Sequence, residues 1–542
     1  MSKITIYDTT LRDGSQSEEI TFSVEDKIKI ALKLDEFGIP FVEGGWPGSN
    51  PVDDAFFREI RAYKLKRATI TAFGSTHHPG QTAENDRNLN ALLEAGVSCV
   101  TIFGKAWDEH VREALKVSNE QNLNMVSDSV AFLNSRGLRV FFDAEHFFDG
   151  YATNPEYAVA VLAAAHQAGA NTLVLCDTNG GAMSSDIYQI TREMVKRFPD
   201  VAIGVHAHND CDLAVANSIA AVEAGATHVQ GTINGIGERC GNANLISIIP
   251  ILELKEAGSS PAIPKENLSQ LTGVAAYVAE IANLPLFSRQ PFVGRSAFAH
   301  KGGIHVSAVS RKSSLYEHIN PELVGNKQRI LMTALAGRSN IIAMARRYGF
   351  HLDKDEPVVR GLFNDLKEKT AMGYDYAAAE ASVELLLLKK LGRRGVRDFF
   401  KLINLRVLET KDDKEILSEA TITLQVEGML EHTAAYGQGP VNALDSALRK
   451  ALSTFYPKLN EMRLLDFKVR VLNSNEHQGG TASVVRVLIE SGDCNGRWVT
   501  VGVSHDIIEA SWQALADSFT YKLYRDEYSH RAALHEDSLA EA

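Results

Sequence analysis

The feature that most constrains this chain is an alternation that fills its first 240 residues. Eight short runs of β-forming residues, "ITIYD" (4–8), "FVEGG" (41–45), "ATITAF" (68–73), "SCVTIF" (98–103), "LRVFFD" (138–143), "NTLVLCD" (171–177), "VAIGVH" (201–206) and "THVQGT" (227–232), are separated by stretches with apolar residues at helical spacing. In "SVEDKIKIALKLDEF", Ser23 and Asp26 form an acidic capping pair. "NPEYAVAVLAAAHQAG" and "DLAVANSIAAVEAG" are amphipathic and close on glycine. Eight strand and helix units in about 250 residues predict a closed (β/α)8 barrel. A doubly wound sheet competes, but it carries about six strands and a glycine-rich first turn. Here that turn is "TTLRDGS", whose single glycine cannot form a phosphate cradle.

The barrel does not exhaust the chain. With 542 residues, 45% of them apolar, the sequence predicts more than one domain. A net charge of -12, from 56 Lys plus Arg against 68 Asp plus Glu, excludes a diffuse basic surface for nucleic acid. Anionic metabolites need only local positive groups. Five scattered cysteines show neither zinc spacing nor a disulfide framework, which predicts a reducing compartment. The opening "MSKITIYD" has no signal core and no stretch offers 18 uninterrupted apolar residues, so a cytoplasmic protein is expected.

In a barrel, active sites form at the C-terminal strand ends. Here those exits read "DTTLRD", "VEGG", "FFDAEH", "CDTNGG", "VHAHND" and, after the last strand, "NGIGERCGNAN". Strand one adjoins strand eight and strand eight adjoins strand seven, so Asp13, His206, His208 and Asn242 can converge. His206 and His208 stand two apart on an extended segment and present both imidazoles to one face. An isolated H-x-H is often two hydrogen-bonded histidines. At a barrel exit with carboxylate and amide oxygens nearby, it predicts a divalent metal site, open to Mg2+, Mn2+, Co2+ or Zn2+.

Such an ion can chelate a 2-oxo acid through its keto and carboxylate oxygens. Arg12, beside it, can stabilise a developing alkoxide. Glu145 can orient water or a base, or simply pair with a basic neighbour. Thr178 can bond the substrate carboxylate, or cap the following helix.

Together "DTTLRDGSQ", "VHAHND", "GIGERCGNANL" and "AFAHKGGIHVSAV" resemble the metal-dependent acyl-CoA condensing family of 2-isopropylmalate, homocitrate and citramalate synthases, across about residues 3–530. The resemblance implies that Asp13, His206, His208 and Asn242 ligate the metal and that Arg12 faces the keto oxygen. It places Glu43 and Glu145 near the reaction centre and Thr178 on the oxo acid. It implies acetyl-CoA as co-substrate, condensation through an enolate and hydrolysis of the thioester. His305 is then the residue that manages the acetyl protons and Tyr316 a substrate-site tyrosine, both delivered to a neighbouring subunit's barrel in a homodimer. Many relatives carry an acidic residue two positions after that histidine, whereas Ser307 stands here. Another group must orient His305.

Four segments are expected: a barrel over 1–284, a linker and helical subdomain over 285–390, a regulatory and dimerisation domain over 391–530, and a tail over 531–542. Within the third, "ATITLQVEGMLEHTAAYGQGPVNALDSALRKAL" and "ASVVRVLIESGDCNGRWVTVGVSHDIIEASWQALADSF" repeat one strand, turn, strand and helix plan. Gly437, Gly439 and Pro440 lead into one helix and Gly502 into the other, predicting free amides for an amino-acid carboxylate. The resemblance implies an end-product effector, for which isoleucine is the chemical expectation.

For the oxo acid, "VEGGWPGSNPVDDAFF" and "FFDAEHFFDGY" resemble the citramalate branch. Trp46, Phe73 and Phe103 at strand exits leave room for the methyl of pyruvate but less for the isopropyl of 2-oxoisovalerate. A noncatalytic metabolite sensor on the same scaffold would lose the metal set or the arginine, and both are present.

Overall fold

The computed structural model describes residues 2–255, 259–261, 263–331, 338–347, 350–391, 398–411, 416–472 and 483–540. It divides into two compact units, Met1–Phe298 with Ile319–Lys327, and Ala299–His318 with Gln328–Ala542. The barrel unit thus runs past the expected edge at 284 and takes in a second short stretch.

The eight strands of the first unit are β1 (Ser2–Asp8), β2 (Phe41–Gly45), β3 (Thr69–Ser75), β4 (Cys99–Lys105), β5 (Arg139–Glu145), β6 (Thr172–Asp177), β7 (Ala202–Ala207) and β8 (His228–Gly231). All pair in parallel in chain order, and Tyr7 opposite Phe41 closes β1 onto β2 while Thr5 opposite His228 closes it onto β8. A short β9 (Ser259–Pro261) adds to β1 outside the ring. The helices between strands begin where the sequence provides caps. In Val24–Phe37, the Asp26 amide donates to Ser23 Oγ at 3.2 Å and the Ser23 amide to Asp26 Oδ2 at 3.0 Å, a complete capping box.

Strand residues two apart share a face, so the barrel interior is built in layers. Tyr7, Phe41, Cys99 and Phe141 form one apolar layer, with the His228 ring 5.4 Å from Tyr7. One step towards the exits the layer turns polar: the Tyr7 hydroxyl meets Thr71 at 2.9 Å, Thr101 at 2.6 Å and Glu43 at 2.5 Å. This layer is the floor of the site.

In the second unit, β10 (Ala299–His300) pairs with β11 (Arg329–Ile330). His300 sits on β10 and His305 on the helix Gly303–Val309, so the two share no helical face, as their spacing predicts. Helices Arg338–Arg347, Pro357–Ala371 and Glu380–Lys390 follow. The duplication is then explicit. β12 (Phe400–Lys411), β13 (Ile416–Val426) and β14 (Met429–Gly437) make one antiparallel sheet before the helix Pro440–Leu452. β15 (Arg463–Val471), β16 (Val485–Asp493) and β17 (Gly496–Ser504) make another before the helix Ile507–Ala540. Each repeat has three strands, one more than its sequence suggests. The two copies share one core that includes Leu424, Leu448, Ile489, Trp498 and Phe519. The last helix takes up most of the expected tail, and residues 541 and 542 lie outside the described residues.

Two expected effector positions need correction. Gly502 lies inside β17, not in a turn, and a Cβ there would stand 1.9 Å from the Ala510 carbonyl oxygen. Gly437 ends β14, where a Cβ would stand 2.2 Å from the Ala443 amide nitrogen. Both glycines let a strand touch its own helix. The helix start after Gly502 is not free either, because Asp506 Oδ1 accepts from the amides of Ile508 at 2.6 Å and Glu509 at 3.1 Å. Gly439 has open space around it and Pro440 is the first residue of its helix.

Candidate functional site

The site is assembled from strand exits of the first unit. His206 and His208, two apart at the end of β7, are buried and turn the same way, their ring centroids 5.2 Å apart. Asp13, in the loop after β1, places Oδ2 3.3 Å from His206 Nε2 and 3.7 Å from His208 Nε2. One candidate ligand atom from each of these three buried residues lies within 4.8 Å of the other two. Asn242, after β8, is joined to His208 by an antiparallel bridge. Its side-chain nitrogen faces the Ile236 carbonyl at 3.5 Å, while Asn242 Oδ1 and Asp13 Oδ1 are buried without a hydrogen-bond partner among the described residues.

Unpaired buried oxygens are costly, and a cation bound between them would account for both. Two imidazole nitrogens with a carboxylate and an amide oxygen fit a divalent ion, as the sequence predicts. Burial alone would raise the Asp13 carboxyl, but Arg12 and the hydrogen bonds of His206 and His208 hold it well below the usual carboxylate range. It is therefore ionised and ready to ligate.

Behind the ligands stands a network the sequence reading missed. His206 Nδ1 lies 2.8 Å from Gln230 Oε1, and Gln230 Nε2 donates to Asp143 Oδ1 at 2.9 Å. Gln230 thus keeps the proton on Nδ1 and leaves Nε2 for a metal. Burial is the main force lifting the Asp143 carboxyl, to about 7. Strand alternation could have found both residues. Asp143 stands two before Glu145 and Gln230 two after His228, on the inward face of their strands.

Arg12 is fixed on three sides. Its Nε donates to Glu43 Oε1 at 2.6 Å, its Nη1 lies 3.3 Å from Asp13 Oδ2, and its guanidinium carbon sits 3.6 Å from the Phe73 ring centroid. Glu43 is fully buried and also accepts from Thr9 Oγ1 at 2.6 Å, so it orients the arginine rather than facing the cavity. Phe73 stacks on Phe103 at 5.5 Å, and Trp46 meets both rings edge-on. These rings line a cavity of about 210 Å³ together with Arg12, Asp13 and the two histidines.

Glu145 and Thr178 also line it. Glu145 is ion-paired with Lys105, its register partner on β4. Thr178 does not cap the following helix. Its Oγ1 accepts from the His146 amide at 2.9 Å, while Asp177 Oδ1 takes the amides of Gly181 and Ala182. His305 and Tyr316 belong to the second unit, where their rings stack at 4.2 Å. Beside them His300 Nε2 lies 3.0 Å from Glu317 Oε1, which also accepts from Gln328 Nε2 at 2.9 Å.

Residues 3–278 match the family described as HMGL-like, 292–372 that described as homocitrate synthase post-HMGL domain-like, and 377–523 the LeuA allosteric (dimerisation) domain. The chain is 54% identical over 527 residues to an (R)-citramalate synthase of Aquifex aeolicus, covering 97% of this chain and 98% of that one. An (R)-citramalate synthase of Geobacter sulfurreducens is 53% identical over 529 residues, 97% and 99% of the two chains. The chain belongs to the citramalate and 2-isopropylmalate synthase family. Within it, a 2-isopropylmalate synthase of Methanocaldococcus jannaschii is more distant, at 29% identity over 527 residues, 97% and 96% of the two chains. Family membership runs the length of the molecule. No helix among the described residues is long and apolar enough to cross a membrane.

Proposed function

We propose that the chain is an (R)-citramalate synthase, joining acetyl-CoA to pyruvate and hydrolysing the thioester to citramalate and CoA on the way to isoleucine. The observation that carries the reading is the convergence of Asp13, His206 and His208 beside Arg12 in a small cavity walled by Trp46, Phe73 and Phe103, with Asn242 bridged to His208. Asp13, His206, His208 and Asn242 would hold a divalent ion, which would supply Lewis acidity for the keto group. The chain's own groups do the rest. Arg12, held by Glu43, donates to the oxygen that gains charge as the carbonyl is attacked. The Thr178 hydroxyl binds the oxo-acid carboxylate, and the aromatic walls bound its side chain.

The proton of the acetyl methyl group goes to His305, with Tyr316 stacked against it. These two come from the partner subunit of a homodimer. Glu145, paired with Lys105, orients the water that opens the thioester. The LeuA-type region binds isoleucine as feedback effector, and the enzyme works in the cytoplasm. Isoleucine titrated into the full-length protein should release heat and lower turnover; silence in both would reduce that region to assembly.

The test is CoA release, followed with a thiol reagent, from acetyl-CoA, a divalent ion and each oxo acid in turn. Pyruvate should give the highest kcat/KM. A tenfold preference for 2-oxoisovalerate would move the chain to 2-isopropylmalate synthesis.

A further inference from the structure

One residue at the barrel mouth takes part in none of the steps above, yet it joins three strand exits. Arg239, in the loop after β8, holds a left-handed backbone, φ 56°, that a non-glycine residue rarely adopts. From there its guanidinium reaches the loop after β7, where Nε lies 2.7 Å from Asp210 Oδ1 and Nη2 lies 3.0 Å from Asp210 Oδ2. The same Nη2 donates to the Thr178 carbonyl after β6 at 2.8 Å and stands 3.1 Å from His208 Nδ1. The backbone repeats the tie, with the Asn209 amide donating to the Gly241 carbonyl at 2.9 Å and the Cys211 amide to the Gly180 carbonyl at 3.1 Å.

An exposed ion pair is ordinarily worth little. The Arg239 side chain is 40% exposed and Asp210 22%, so charge attraction alone would not single the pair out. The fork geometry does. A planar guanidinium meets the Asp210 carboxylate at two points, Nε and Nη2, and the second Nη2 hydrogen reaches the Thr178 carbonyl, which an ammonium cannot reproduce. The groups it gathers are a metal ligand, the residue two beyond that ligand, and the residue assigned to the substrate carboxylate.

We infer that Arg239 is a positioning residue that locks the metal-ligand exit of β7 to the substrate exit of β6, with Asp210 as its anchor. The inference rests on the metal and substrate roles proposed above for His208 and Thr178. It assigns Arg239 no contact with the reacting atoms. Loss of the fork should loosen both exits together, so metal affinity and pyruvate KM should move as a pair.

The experiment titrates Co2+ into chelator-stripped full-length protein, read by its visible absorption, and measures kcat and KM for pyruvate in wild type, R239K, R239A, D210N and R239K/D210N. R239K and D210N should each weaken Co2+ binding and raise KM by about tenfold, the scale of outer-shell losses at metal sites. The double variant should lose no more than about twofold beyond either single variant, because both changes cut one fork. Unfolding midpoints identify any variant that has lost its fold, and R239A and D210N cut the clamp from opposite sides. Co2+ affinity and KM both within twofold of wild type in R239K, R239A and D210N would overturn the inference. So would multiplying losses in the double variant. Failure of wild type itself to bind Co2+ would overturn the metal centre, and the inference with it.

Discussion

The barrel mouth and the duplicated sheets of the second unit use polar and apolar groups in opposite ways. At the mouth, charged side chains are buried and almost every one is answered by another from the same chain. Glu43 takes three donors, Asp143 takes Gln230, and Arg12 is braced by Glu43, Asp13 and Phe73. The oxygens left over, on Asp13 and Asn242, are the ones a metal would claim. The second unit buries its shared core but leaves apolar side chains on its strands in water. Ile403 on β12, Leu430 and Tyr436 on β14, and Val469 and Val471 on β15 are each more than 40% exposed. Exposed apolar strands of this kind call for a covering surface. The metal and arginine cluster of the barrel is thus answered by groups of the same unit, while the strands of the second unit leave apolar surface to be covered.

The largest effect that could break this contrast is at the ligands. His206→Ala and His208→Ala should each cut citramalate formation by about 10³-fold or more, since Lewis acidity is worth several kcal/mol. Circular dichroism should show the barrel still folded. Arg12→Lys should lose roughly 10²–10³-fold, as a point charge cannot replace the fork.

Mixing two dead proteins tests the other half. If His305 serves the partner's barrel, a hybrid of His206→Ala and His305→Ala chains holds one intact site of two. Half of randomly exchanged dimers are hybrids, so about a quarter of wild-type activity should return. No recovery after verified exchange would place His305 in its own chain's site or outside the chemistry.

Burying polar groups in the barrel also makes it acid-sensitive. Burial, followed by the charges of Arg139 and His206, drives the His228 imidazole down to about 3. An unfolded histidine takes a proton below about 6.5, whereas the native one stays neutral to about 3. Stability from keeping it neutral is therefore complete above pH 6.5 and is lost progressively as pH falls towards 3. The loss at pH 4 should be on the order of 3 kcal/mol. Urea midpoints of His228→Gln should fall less steeply over that range than those of wild type.

The smallest effect concerns the aromatic wall. Phe103→Ala should narrow the pyruvate preference over 2-oxoisovalerate by up to about tenfold, the reach of methylene-scale discrimination. An unchanged ratio would remove this ring from the acyl pocket.

Much of this was legible in the sequence, for a physical reason. Barrel strands are covered on both faces, so runs such as "NTLVLCD" stand out as unbroken apolar segments, and β6 falls within one residue of its expected limits. The "HAH" spacing maps directly onto two inward imidazoles. What escaped notice depends on partners distant in sequence. Glu43 reads as a group near the reaction, but its neighbours Tyr7, Thr9 and Arg12 turn it into a brace. Arg239 acquires its place only when three loops meet. Gly502 reads as a turn because glycine usually marks one, whereas here it yields space to the Ala510 carbonyl across a strand and helix contact. Such a contact leaves no periodic trace.

The metal centre can be read without turnover by the electron paramagnetic resonance of Mn2+ added to chelator-stripped protein. The metal centre proposed above implies one tightly bound ion per chain, a spectrum that changes when pyruvate is added, and no tight binding in His206→Ala or Asp13→Asn. Equal binding in wild type and both variants, or a bound ion whose spectrum ignores pyruvate while citramalate still forms, would contradict it.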